Sequence, residues 1–222
     1  MTVDVAGPAA LAALFQDAGR GVFPPTNGAV TVLRQPGSGE AAVLAFTGHI
    51  VIAADLEPEW VTQVLPTADL SDYLNPPFLA ALSERLSRRV NCVDIVGYGP
   101  ALTGPPPLPL TEIVDRSHPR VRRAQRYRTD VRVWAAVGGI VVLGRGLAGR
   151  LEVAFEVDPA HRARGLGRAL ARSARHLVGQ WHPDDAGVWA QVAPGNAASV
   201  RTVLAAGYQP VGSEALLVAP RP

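Results

Sequence analysis

The chain is expected to be an α/β protein: a mixed sheet flanked by helices, preceded by a smaller α+β N-terminal domain. Three observations carry this expectation. Residues 151–181 read as an apolar strand, a basic glycine-containing turn and an amphipathic helix. A second strand–helix–strand run follows over 188–218. Five prolines fall within the eleven residues from Gly99 to Pro109, which excludes a regular helix or a central strand there. The implied division is an N-terminal domain at 1–98, a proline-rich linker at 99–110 and a second domain at 111–222.

In the first domain, Pro8 to Asp17 reads as a helix, with Leu11, Leu14 and Phe15 on one side. Ala29 to Leu33 and Ala41 to Asp55 read as strands around the turn Pro36-Gly37-Ser38-Gly39. Glu57 to Leu65 and Phe78 to Arg89 read as helices, and Val90 to Val96 as a strand. After the prolines, Thr111 to Arg126 reads as a basic helical region with a break expected at Pro119. Val131 to Ala136 and Gly139 to Leu143 suit a hairpin, and Leu151 to Val157 a strand. In the helix Gly167 to Trp181, Leu170, Ala174, Leu177, Val178 and Trp181 recur at three and four residues, so one face should pack on a sheet. Val188 to Val192 is a strand. Asn196 caps a helix that Gly207 ends, and Tyr208 to Val218 is a last strand.

Composition narrows the function classes. The chain has 222 residues, 48% hydrophobic and 18% charged, with a formal net charge of +2. That balance does not suit a nucleic-acid binder. All 21 basic residues are arginine, a mark of coding bias rather than of function. The single Cys92 excludes an internal disulfide framework. No basic-apolar-small signal segment opens the chain, and no apolar run reaches about 18 residues, so a cytoplasmic protein with no membrane partner is expected.

The segment Val157-Asp-Pro159-Ala-His161-Arg162-Ala163-Arg164-Gly165-Leu166-Gly167 is the most informative. Placed between a strand and a helix, it makes a phosphate cradle. Free amides at the helix start and the helix dipole attract an anion. Gly165 and Gly167 let the backbone approach it closely. Arg162, Arg164 and Arg168 supply donors suited to diphosphate oxygens.

This segment, with Asn196-x-x-Ser199 and Gly207-Tyr208 further on, resembles the GNAT superfamily of N-acetyltransferases. The resemblance runs from Leu151 to about Val218, and more loosely from Thr111. It implies a partly splayed mixed sheet and acetyl-CoA as acyl donor. The acetyl group would pass to a primary amine by direct attack in a ternary complex. Backbone groups of Phe155, Glu156 and Val157 would bind the pantetheine arm. The loop Arg162, Ala163, Arg164, Gly165, Leu166, Gly167 and Arg168 would hold the pyrophosphate. Asn196 would lie near the pantetheine or serve as a helix cap, and Arg172 and Arg175 are weighed for the adenosine 3′-phosphate. The N-terminal half would be a degenerate copy of the fold, a lid or a dimer surface.

Amine acetylation needs a neutral amine. A lysine amine has a pKa of about 10.4 and an α-amine about 7.7–8.0, so a base matters most for the former. Some family members carry a glutamate five positions before the motif valine, so the resemblance makes Glu152 the expected general base; Glu156 shares its face by alternation, and the alternative for either is a structural carboxylate paired with one of the many arginines. The tyrosine acid common in the family falls on Val203 here, and Tyr208 reads as core. This departure keeps open a second class of function, a non-catalytic acyl-CoA-binding module. No metal is expected, since His49, His118, His161, His176 and His182 show no ligand spacing. The arginines at 116, 120, 122, 123, 126, 128 and 132 suit an acidic acceptor, a solvated face paired with Asp115 and Asp130, or RNA contact, a reading weakened by the sparse aromatics Tyr127 and Trp134. The expected acceptor is a small-molecule or peptide amine, and a homodimer stays open.

Overall fold

The structure is a computed structural model that describes residues 9–37, 39–65, 69–115 and 117–220. Ser38 of the expected turn and Arg116 of the basic run lie outside the described residues, as does the side chain of Arg120. The chain divides into two compact units, residues 1–95 with 211–222, and residues 96–210. The C-terminal residues therefore belong with the first unit, and the boundary falls before the prolines rather than among them.

The first unit opens with α1 (Ala9–Gly19), which buries Leu11 and Phe15, followed by β1 (Ala29–Leu33). Ala41 to Asp55, expected as one strand, is a hairpin of β2 (Ala41–Phe46) and β3 (His49–Ala53). It turns at Gly48, whose φ of +67° suits glycine. β1 pairs with β3 in parallel, not across the Pro36 turn with β2. Both strands of the hairpin are buried almost throughout, so their apolar runs lack the alternation that would have marked two strands. α2 (Pro58–Val64) and α3 (Pro76–Leu86) follow. Phe78 and Leu82 of α3 pack into a core with Val43, Ile50 and Ile52.

The second unit holds the latter part of β4 (Arg89–Pro100) and then β5 (Thr111–Glu112), which pairs with β6 (Thr129–Ala136). The sequence expectation of a helical region over 111–126 is thus corrected: its start is an edge strand. α4 (Pro119–Gln125) begins at Pro119, where a missing N–H costs nothing. β6, β7 (Gly139–Arg145) and β8 (Leu151–Val157) are antiparallel neighbours. α5 (Leu166–Trp181), β9 (Gly187–Val192), α6 (Ala197–Ala205) and the first residues of β10 (Gln209–Val218) complete it. The proline-rich stretch packs on this unit. Leu102 N–H donates to Arg175 O at 2.9 Å, and Leu108 and Leu110 pack against the core.

α5 buries Leu170, Ala174, Leu177 and Val178 as its period requires. Trp181 departs from that expectation: it is 47% exposed, with the Arg132 guanidinium 3.7 Å from its ring centroid. His182, which follows α5, is buried beside Arg145 and Asp185. Burial, helped by the Arg145 charge, holds its pKa below the ordinary 6.5. The unfolded chain then binds a proton that the folded chain resists. Stability present above about pH 6.5 is therefore lost as pH falls from there toward the folded value. Melting temperatures between pH 7.5 and 5.5 should fall for the wild type and fall less for His182→Gln.

Candidate functional site

β8 and β9 are parallel but pair only at Glu152↔Trp189 and Val153↔Ala190. Beyond Val153, β8 continues to Val157 with its full ladder to β7 on one edge, Gly139↔Val157 included, and an open edge on the other. The strand hands over to the loop at Asp158, whose N–H donates to Gly138 O at 2.8 Å. The loop then passes through two left-handed residues, Ala163 at φ +59° and Gly165 at φ +81°. Gly165 is the N-cap of α5, and no side chain caps that helix. Its first amides therefore lack intrahelical acceptors and face outward with the positive end of the dipole.

These features open into one groove of ≈ 840 Å³. Phe155, Glu156, Val157, Arg162, Ala163, Gly165, Leu166, Gly167, Arg168 and Asn196 all line it. Arg164, read as part of the cradle, does not. The Arg162 Nε donates to Val157 O at 3.3 Å, which ties the loop back to the strand. Gly167 sits against α6: a Cβ there would lie 3.3 Å from Thr202 Cγ2. Asn196 accepts from Ser199 N–H at 3.1 Å, so it caps α6 and lines the groove at once.

Sequence reasoning missed the opposite wall. Ala198, Arg201, Thr202 and Ala205 of α6 face the groove. Their spacing of three, four and seven residues marks one helical face, and a small, polar stripe at that period was the signal that could have found them. Arg172 is exposed and does not line the groove. Arg175 is committed elsewhere, with Nε on Pro100 O and Nη1 on Ala206 O, both at 2.8 Å.

Glu152 has a different setting from that of an accessible base. It is 4% exposed. Its Oε2 accepts from Arg128 Nε at 3.0 Å. Its Oε1 accepts from Arg150 Nε at 2.9 Å and Gln191 Nε2 at 3.1 Å. Arg150 is itself buried, 5.6 Å from the Trp189 ring centroid. Charge-assisted bonds of this kind anchor a carboxylate. Glu156, on the same face of β8, lines the groove instead. Val203 is buried in the core and Tyr208 is 3% exposed. The Tyr208 hydroxyl donates to Ala171 O at 3.0 Å, and burial pushes its pKa up. Tyr208→Phe should cost about 1 kcal/mol of stability, as melting would show.

The remaining reactive groups are quiet. Burial, with Asp94 beside it, pushes the Cys92 thiol up to about 11, so it is no thiolate at neutral pH. Among the described residues no group of three or more His, Cys, Asp or Glu is placed to hold a metal ion. No helix among them is long and apolar enough to cross a membrane.

No protein-family model matches the chain, and no curated protein matches it. Solved structures do resemble it. One is an acetyltransferase assigned to the GNAT family from Novosphingobium aromaticivorans, at 16% identity and a TM-score of 0.42, covering 60% of this chain and 68% of that one. Another is a GCN5-related N-acetyltransferase from Kribbella flavida, at 18% identity and 0.39, covering 66% and 65%. A third is a tandem GNAT protein from the clavulanic acid biosynthesis pathway, at 15% identity and 0.41, covering 71% and 62%. The chain thus spans slightly less than two thirds of the latter two.

Proposed function

We propose that the chain is an acetyl-CoA-dependent N-acetyltransferase of the GNAT type, acting on a primary amine. The observation that carries this reading is the convergence on one groove of an open strand edge, an uncapped helix start and a glycine-containing arginine loop. Each suits a different part of one ligand. The free edge of β8 from Ala154 to Val157 suits an extended amide chain added like a strand. The α5 amides with Arg162 and Arg168 suit a diphosphate. Arg201 and Thr202 extend the polar wall. The bound thioester would supply an activated acetyl group, and the residues named here hold and orient it.

In this reading Glu152 is a positioning residue. It locks Arg128, Arg150 and Gln191 where the two parallel strands begin to part. Glu156, within the groove, takes its place as the candidate carboxylate for proton transfer. A second reading, an acyl-CoA-binding module without turnover, is favoured by one observation: Val203, at the family's tyrosine position, is buried in the core. Release of CoA thiol with a panel of α-amines, lysine-like amines and peptides separates the two. The proposal expects release with at least one acceptor, reduced by Glu156→Gln. Acetyl-CoA binding with no release from any acceptor would leave the module reading in possession.

A further inference from the structure

The first unit carries a groove of its own, of ≈ 420 Å³, on which Arg34, Asp55, Glu57 and Arg85 converge. β1 and β3 are parallel, in register from Ala29↔His49 to Leu33↔Ala53, so their carboxyl ends open on one side. The groove lies just past those ends, lined by Leu33 and Ala54. The site described above stands in the same relation to its strands. In each, the second strand of a hairpin, β3 or β8, has a parallel neighbour and runs through a loop into a helix.

The chemistry of the two loops differs. The loop after β3 reads Ala54-Asp55-Leu56-Glu57-Pro58, with no glycine and two carboxylates. A diphosphate would be repelled there. Arg34 and Arg85 balance the two acids. Among the described residues, Arg34, Glu57 and Arg85 form no ion pair with one another or with any other group. Asp55 is oriented by the backbone N–H of Gln35, at 3.1 Å on Oδ1. Gln35 is in turn buried, its Nε2 donating to Gly37 O at 3.0 Å. Two charges of each sign thus line one concavity without neutralising each other. A ligand with both signs close together complements them. The groove is also near the lower end of small-molecule pockets, roughly 300–1,000 Å³.

We propose that this groove binds a free α-amino acid. Arg34 and Arg85 take its carboxylate and Asp55 and Glu57 its ammonium group. The inference stands apart from the acetyltransferase reading, because it rests on other residues and is tested by binding alone.

The test is thermal unfolding of the full chain with each proteinogenic L-amino acid at millimolar concentration. At least one should raise the melting temperature saturably. Its α-amide and its deaminated hydroxy-acid analogue, each lacking one charge, should not. Arg85→Ala and Asp55→Asn should each weaken binding at least tenfold, while their melting temperatures without ligand stay near wild type. No saturable rise with any amino acid would overturn the proposal. So would an equal rise with the amide and the hydroxy acid, or a rise that survives in the Arg85→Ala, Asp55→Asn double variant.

Discussion

Replacing Gly165 with aspartate is expected to weaken the proposed acetyl-CoA binding at least about a hundredfold while leaving the fold intact. Gly165 holds φ +81° at the N-cap of α5, with nothing within 4 Å of a built Cβ. A Cβ there meets no clash. Left-handed backbone costs a non-glycine residue about 1–2 kcal/mol, with aspartate among the tolerant types. A carboxylate beside the first helical amides offsets part of that through the helix dipole. Stability should therefore change little. The same carboxylate stands where the diphosphate is proposed to bind. A loss of at least about a hundredfold in affinity, ~2.7 kcal/mol, is expected by calorimetric titration. Retained affinity would remove the α5 start from the site.

Glu152→Ala should show the opposite pattern, a large loss of stability. The Arg150 side chain is 2% exposed and that of Arg128 14%. Removing the carboxylate between them takes the Glu152 oxygens from both buried guanidinium groups. Breaking such a pair typically costs about 3–5 kcal/mol. At about 2–4 °C per kcal/mol for a chain of this size, melting should fall by roughly 10 °C. Glu152→Gln, which keeps acceptor and shape, should lose less. A catalytic base would behave otherwise: Glu152→Gln would melt as wild type, and turnover would collapse with a changed pH profile. The pair of variants, measured for both melting and rate, decides which role Glu152 has.

The two halves of the chain differed in how openly they could be read. The loop from Val157 to Arg168 was legible because its chemistry is local: strand, glycines, arginines and helix follow one another within a few turns of chain. The capping role of Asn196 was legible for the same reason. What could not be read depends on partners far away in sequence. The parallel pairing of β1 with β3 rather than with β2 is a register choice made by buried apolar faces, and Ala41 to Asp55 carries no alternation to announce it. The proline-rich stretch looked like a linker because prolines forbid regular structure. They do not forbid packing, and Leu108 and Leu110 pack. Alternation put Glu152 and Glu156 on one face correctly, but the arrival of Arg128, 24 residues away, separates their surroundings. The α6 wall was hidden for a simpler reason, since Arg201 and Thr202 resemble any solvated helix face until α5 is placed opposite.

Hydrogen–deuterium exchange of the full chain with and without saturating acetyl-CoA tests the central claim most directly. The account predicts new protection at the open edge of β8 from Phe155 to Val157, and at the amides from Ala163 to Arg168. Weaker protection should reach the α6 wall from Asn196 to Ala205. Unchanged exchange across these segments, or protection confined to other parts of the chain, would contradict it.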